Sequence, residues 1–94
     1  MISIGIDIGL YGAAVAINER LEVIEWCDIP IIGTKNYDVI EIRRFLEPWS
    51  LRDDEQVIVW IEAPATRPKQ SAQSGLKTGI GYGLWEGLCA GLGL

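Results

Sequence analysis

The run Ile4-Gly5-Ile6-Asp7-Ile8-Gly9 constrains the fold more than any other stretch of this chain. Isoleucine occupies positions 2, 4, 6 and 8, and so dense a β-branched run favours a pleated strand over a helix. The segment reads as apolar on both faces, which is the pattern of a strand central to a sheet. Asp7 breaks that pattern. A carboxylate on a strand buried from both sides costs on the order of several kcal/mol unless a cation, a set of donors or a raised pKa relieves it. Two readings stay open: a functional acid with a partner elsewhere in the chain, or an Asp at a strand end capping its own turn, Gly9-Leu10-Tyr11-Gly12.

Ninety-four residues make one small domain, residues 1–94, with the apolar fraction of a folded chain. Cys27 and Cys89 are far apart and form neither a metal-ligand pattern nor a disulfide framework. They read as buried thiols in a reducing compartment. With no basic leader at the N-terminus, the expected location is the cytoplasm. Thr78 to Leu94 is apolar, but it is diluted by glycine, contains Glu86 and has Lys77 at its edge, so no membrane span is expected. The chain has no histidine, which excludes histidine general acid–base catalysis and histidine metal ligation. Charge is uneven: residues 1–63 hold five Lys/Arg against twelve Asp/Glu, whereas 64–94 hold Arg67, Lys69 and Lys77 against Glu86 alone. A local basic patch matters more for phosphate contact than the overall net charge of −5.

In chain order, Ser3–Gly9, Ala13–Ile17 and Leu21–Cys27 read as three strands joined by short connections, hence an antiparallel meander. Neither face of the third is cleanly apolar, which suits a sheet edge. A loop over Asp28–Lys35 leads to a helix over Val39–Leu46, capped by Asn36 or Asp38 and stopped by Pro48. Val39, Ile42, Phe45 and Leu46 form its packing face. Trp49–Gln56 reads as a polar connection, and Val57–Glu62 as a fourth strand ended by Ala63-Pro64. Strand, helix, strand at this length predicts that the fourth strand lies parallel to the first. Asp7 and Glu62 then converge at one end of the sheet, roughly 5 Å apart. Two anions that close call for a cation between them. For Glu62 the plainer reading is a solvated acid at a strand end.

A final helix is expected over Ser71–Ala90. Gly75, Gly79, Gly83, Gly87 and Gly91 recur every four residues along it, beside a ridge of Leu76, Ile80, Leu84, Leu88 and Leu92. Each interior glycine costs about 1 kcal/mol relative to alanine, so this face is expected to pack closely on the sheet or on a partner helix. Ser71, Ser74, Lys77 and Thr78 lie at the helix start, where the macrodipole favours phosphate.

Taken together, the Ile4–Gly9 motif with Gly12-Ala13-Ala14, the Ile61-Glu62 strand end, and Pro68-Lys69-Gln70-Ser71 running into Ser74, Gly79, Tyr82-Gly83 and Trp85 resemble Holliday-junction resolvases of the RuvC type. The likeness spans nearly the whole chain. It implies an α/β, RNase H-like fold in which a central sheet carries a carboxylate cluster binding Mg²⁺ (or Mn²⁺) for phosphodiester hydrolysis of branched DNA. Asp7 and Glu62 match two of the family's acidic ligands. Arg67, Lys69, Gln70, Ser71, Ser74, Lys77 and Thr78 match its DNA-contacting element. The family draws its other acidic ligands from a helix that follows a fifth strand. Against that pattern the chain is expected to be a truncated form, lacking the C-terminal strand and catalytic helix and inactive or nearly so by itself. Ile80 stands where the family often has a basic residue. The bare fourth strand and the glycine face together point to a homodimer or higher homo-oligomer.

Two rivals remain. The Ile-Asp-Ile-Gly strand and its turn also resemble the first phosphate loop of actin-like sugar kinases, although Leu10-Tyr11 stands where that loop carries Thr or Ser. The other rival is a non-catalytic DNA-binding or dimerisation module of the same RNase H-like fold.

Overall fold

Alternation along the first strand divides its residues between two environments, and the rest of the molecule is arranged around that division. In the computed structural model, which describes residues 1–63 and 71–94, Ile2, Ile4, Ile6 and Ile8 are buried while Gly5 and Asp7 are exposed. The described elements are β1 (Ile2–Ile6), β2 (Ala13–Ile17), β3 (Val23–Asp28), β4 (Ile31–Ile32), β5 (Asn36–Tyr37), α1 (Val39–Ser50), β6 (Val57–Ile61) and α2 (Ala72–Leu92). The main sheet is four-stranded and mixed, in the order β3-β2-β1-β6. β1 pairs antiparallel with β2 and β2 with β3, while β6 returns through α1 to lie parallel to β1. The fold is therefore mixed α/β, with the expected meander, crossover and parallel pairing, and with β3 at an edge.

Both helices cover one face of this sheet. Ile2, Ile4, Ile6, Ala14 and Ala16 from the strands meet Ile42, Phe45, Leu46 and Trp49 of α1 and Trp85 and Cys89 of α2 in a single core. No described residue covers the opposite face. That overturns the premise that β1 is buried from both sides: Asp7 is exposed, on the face that no described residue covers.

Several boundaries differ from expectation for identifiable reasons. β1 ends at Ile6 rather than Gly9, although the Asp7 N–H still donates to the Ala13 carbonyl at 3.0 Å. β3 starts at Val23 because the Asn18 side chain accepts from the N–H groups of Arg20 and Glu22, which bends the chain and leaves Leu21 at φ 61°. The Asp28–Lys35 loop contains β4, which forms a small hairpin with β5. Asp38, not Asn36, caps α1, its side chain accepting from Glu41 N–H at 3.2 Å. Pro48 does not stop this helix, which continues to Ser50. Proline forfeits one hydrogen bond there, and Trp49 gains burial in the core by staying helical. Val39, expected on the packing face, is exposed, while Trp49 takes its place.

The largest correction concerns α2. It runs to Leu92, where Gly93 at φ 78° closes it. Its buried row is Gly81, Trp85 and Cys89, not the glycine register singled out above. Gly75, Gly79, Gly83, Gly87 and Gly91 are all exposed, and a Cβ placed at any of the last four would meet nothing within 4 Å. The glycine face packs on no described part of this chain.

Candidate functional site

The site is built by register. Ile6 of β1 pairs with Ile61 of β6, so the next residue on each strand is a carboxylate, Asp7 and Glu62. Neighbouring strands lie about 4.8 Å apart, which puts the two acids side by side at the C-terminal end of the parallel pair. On the other side, Asp7 is held opposite Ala13, whose partner on β3 is Asp28. A row Asp28–Ala13–Asp7–Glu62 thus crosses the sheet end, with all three acids exposed. Asp28 is a site candidate that sequence reading missed. The sequence reading ends the third strand at Cys27 and puts Asp28 in the following loop, whereas β3 runs on to Asp28.

Asp7 is positioned by the turn that follows. The turn closes with Gly12 N–H donating to Gly9 O at 2.9 Å, and Gly12 then lies directly against the Asp7 backbone and carboxyl carbon. A side chain at position 12 would collide with the Asp7 carbonyl. The Gly9 N–H reaches the Asp7 carboxylate at 3.4 Å, a long hydrogen bond. Turn capping is therefore present but weak. Among the described residues no cation forms a salt bridge with Asp7 or Glu62, and no group of three or more Cys, Asp or Glu side chains is close enough to hold a metal ion.

Of the residues expected to touch DNA, Arg67, Lys69 and Gln70 lie outside the described residues. The other four sit in the first two turns of α2, and three of them have local work. Ser71 is the N-cap, its hydroxyl accepting from Ser74 N–H at 3.0 Å. Thr78 returns its hydroxyl to the Ser74 carbonyl at 3.0 Å, and the Lys77 ammonium donates to the Lys35 carbonyl at 2.9 Å, joining α2 to the β4–β5 hairpin. Ser74 is exposed.

Tyr37 was not singled out from the sequence, yet it ties these parts together. Its buried hydroxyl donates to the Ile8 carbonyl at 3.0 Å and lies 3.3 Å from the Lys77 carbonyl. Burial pushes its pKa above the ordinary phenol value. Gly81 makes this approach possible, since a Cβ there would strike the Tyr37 ring and hydroxyl. One phenol thus holds the N-terminal half of α2 beside the residue that follows Asp7. An aromatic residue within a polar loop was the available signal.

No protein-family model matches the chain, and no curated protein is significantly similar to it. Among the described residues, no helix is long and apolar enough to cross a membrane.

Proposed function

We propose that this chain carries part of an RNase H-like nuclease centre of the RuvC type, a metal-dependent endonuclease acting on branched DNA. The observation that carries the reading is the β1–β6 register, which sets Asp7 and Glu62 side by side. Two exposed carboxylates on adjacent strands offer the hard oxygen donors that Mg²⁺ or Mn²⁺ prefers. Bound there, such a cation supplies water activation and stabilisation of the leaving oxygen in phosphodiester hydrolysis. The chain's own contribution is positional. Gly12 and the turn hold Asp7, and Tyr37 holds the start of α2 alongside, where Ser71, Ser74 and Lys77 offer donors to a phosphodiester and the Thr78 hydroxyl, bonded to the Ser74 carbonyl, would have to turn to do so. Arg67, Lys69 and Gln70 add the basic stretch just before them.

Two carboxylates grip Mg²⁺ weakly, because a hard, reluctantly dehydrated ion keeps most of its waters. Weak metal binding and little or no cleavage are therefore expected of this chain by itself, and the non-catalytic DNA-binding module is the second reading. Mn²⁺ titration followed by electron paramagnetic resonance tests the ligand pair: binding should weaken strongly in both Asp7→Asn and Glu62→Gln. Binding that is the same in all three proteins sinks the assignment. Mn²⁺-dependent nicking of a four-way junction, abolished by Asp7→Asn, separates the enzyme from the module.

A further inference from the structure

One peptide group stands between Tyr37 and the Asp7 carboxylate. The Tyr37 hydroxyl, on the core side, donates to the Ile8 carbonyl at 3.0 Å. The N–H of the same Ile8–Gly9 peptide reaches Oδ1 of Asp7 at 3.4 Å. A trans peptide is planar, and its C=O and N–H point in opposite directions. Holding the carbonyl toward the core therefore holds the N–H toward the carboxylate. The phenol has one proton to give. The Lys77 carbonyl lies 3.3 Å from the same oxygen, but a carbonyl inside an α-helix already receives the N–H four residues on, so the shorter contact to Ile8 takes the proton. Gly81 leaves room for this, since a Cβ there would strike both the Tyr37 hydroxyl and the Ile8 carbonyl.

The chain beyond the peptide does not fix its plane. Gly9 lies outside the left-handed region here, yet glycine adopts positive φ as readily as negative. Rotating the plane by about half a turn, the difference between related β-turn types, would carry Gly9 toward positive φ. It would also swing the Ile8 carbonyl toward the Asp7 carboxylate. Oxygen would then face oxygen, and the carboxylate would have to move.

We infer that Tyr37 is a positioning residue for Asp7, holding the Ile8–Gly9 peptide in the orientation that offers the carboxylate an N–H instead of a carbonyl. Gly12 limits where the Asp7 backbone lies, and Tyr37 settles which group its carboxylate meets. At 3.4 Å the hydrogen bond is long, so the orientation of the peptide matters more than the strength of the bond. The consequence for metal rests on the nuclease reading: with Oδ1 engaged by Gly9, Oδ2 is left for the cation. The orientation itself does not rest on that reading.

Proton–nitrogen NMR of the full chain in EDTA tests the orientation without metal. The readout is the shift change that Asp7→Ala, which removes the acceptor, causes at the amide proton of residue 9. That change should be large in the wild-type background and mostly lost in Tyr37→Phe, which keeps the ring. Adding Gly9→Ala to Tyr37→Phe should restore it, because alanine resists positive φ. A Cβ at position 9 meets only Asp7 Oδ1, at 3.9 Å, an ordinary contact. Ile42→Val, which loosens the core within α1, should leave the change intact, so general destabilisation does not mimic the effect. Mn²⁺ affinity, followed by electron paramagnetic resonance, should fall about tenfold in Tyr37→Phe, the lower end of the cost of losing a group that orients a metal ligand. Gly9→Ala should return it toward the wild-type value. An amide response that Tyr37→Phe leaves whole overturns the inference, as does one lost equally in Ile42→Val or not recovered by Gly9→Ala. Mn²⁺ binding that Asp7→Asn weakens and Tyr37→Phe does not overturns the role toward the metal. If Asp7→Asn and Glu62→Gln leave Mn²⁺ binding untouched, the nuclease reading falls, and the amide response alone decides the role of Tyr37.

Discussion

Single side chains set the alignment of the candidate site. Tyr37 is the clearest case, because its hydroxyl serves the Ile8 carbonyl from within the core. Tyr37→Phe removes the donor, keeps the ring and leaves that carbonyl short of its partner, which costs about 1–2 kcal/mol. Urea denaturation should show the loss, and faster amide exchange in the first turns of α2 should accompany it. Cys89 supplies a pH dependence. Burial pushes its thiol up from 9.0 to about 11. In the unfolded chain the thiol ionises first as pH rises through 9, while the folded chain keeps it protonated. Its contribution is thus complete below pH 9 and is lost as pH climbs toward 11, by up to about 2–3 kcal/mol. Tyr37 acts in the same direction at somewhat higher pH. Denaturation midpoints measured across that range should fall, and Cys89→Ala should flatten the fall while costing about 1 kcal/mol near neutrality.

At the scale of elements, α2 shows where sequence reading stops. The spacing of its residues predicts a helix, and a helix is found. Three parallel rows repeat every four residues, however: the glycines at 75 to 91, the ridge from Leu76 to Leu92, and Gly81-Trp85-Cys89. Periodicity alone gives no preference among them. What decides is a tertiary fit invisible in one sequence, the collision any side chain at 81 would make with Tyr37, together with full burial of the large Trp85. Since the other glycines face outward, they weaken the helix with no described part of this chain to offset it. Gly83→Ala and Gly87→Ala should each raise stability by about 1 kcal/mol, read as an increase in melting temperature. By contrast, Ser71→Ala should cost about 1 kcal/mol through loss of the N-cap, in the absence of any nucleic acid. A DNA-binding assay on that variant therefore has to be corrected for helix fraying.

Across the whole molecule, the sheet order and the parallel return of β6 were legible because they follow from strand length, crossover length and chain connectivity. The location of Asp7 at the sheet end was legible for the same reason. Its solvation was not, because an isoleucine-rich strand reads as buried on both faces whether or not a second layer covers it. That distinction changes the energetics of the site. Two solvated carboxylates on neighbouring strands whose backbones lie about 5 Å apart repel by no more than about 1 kcal/mol in a high-dielectric setting, far less than a buried pair. Asp7→Asn should therefore stabilise the metal-free protein by up to that amount. In the wild type, Mn²⁺ should raise the melting temperature progressively, because a cation binding only the folded pair adds RT ln(1 + [Mn²⁺]/Kd). In Asp7→Asn that rise should vanish, so the two melting curves cross as metal is added. Curves that stay parallel over the whole titration would mean that the repulsion is real but the pair holds no ion, leaving Asp7 and Glu62 as neighbours by topology alone.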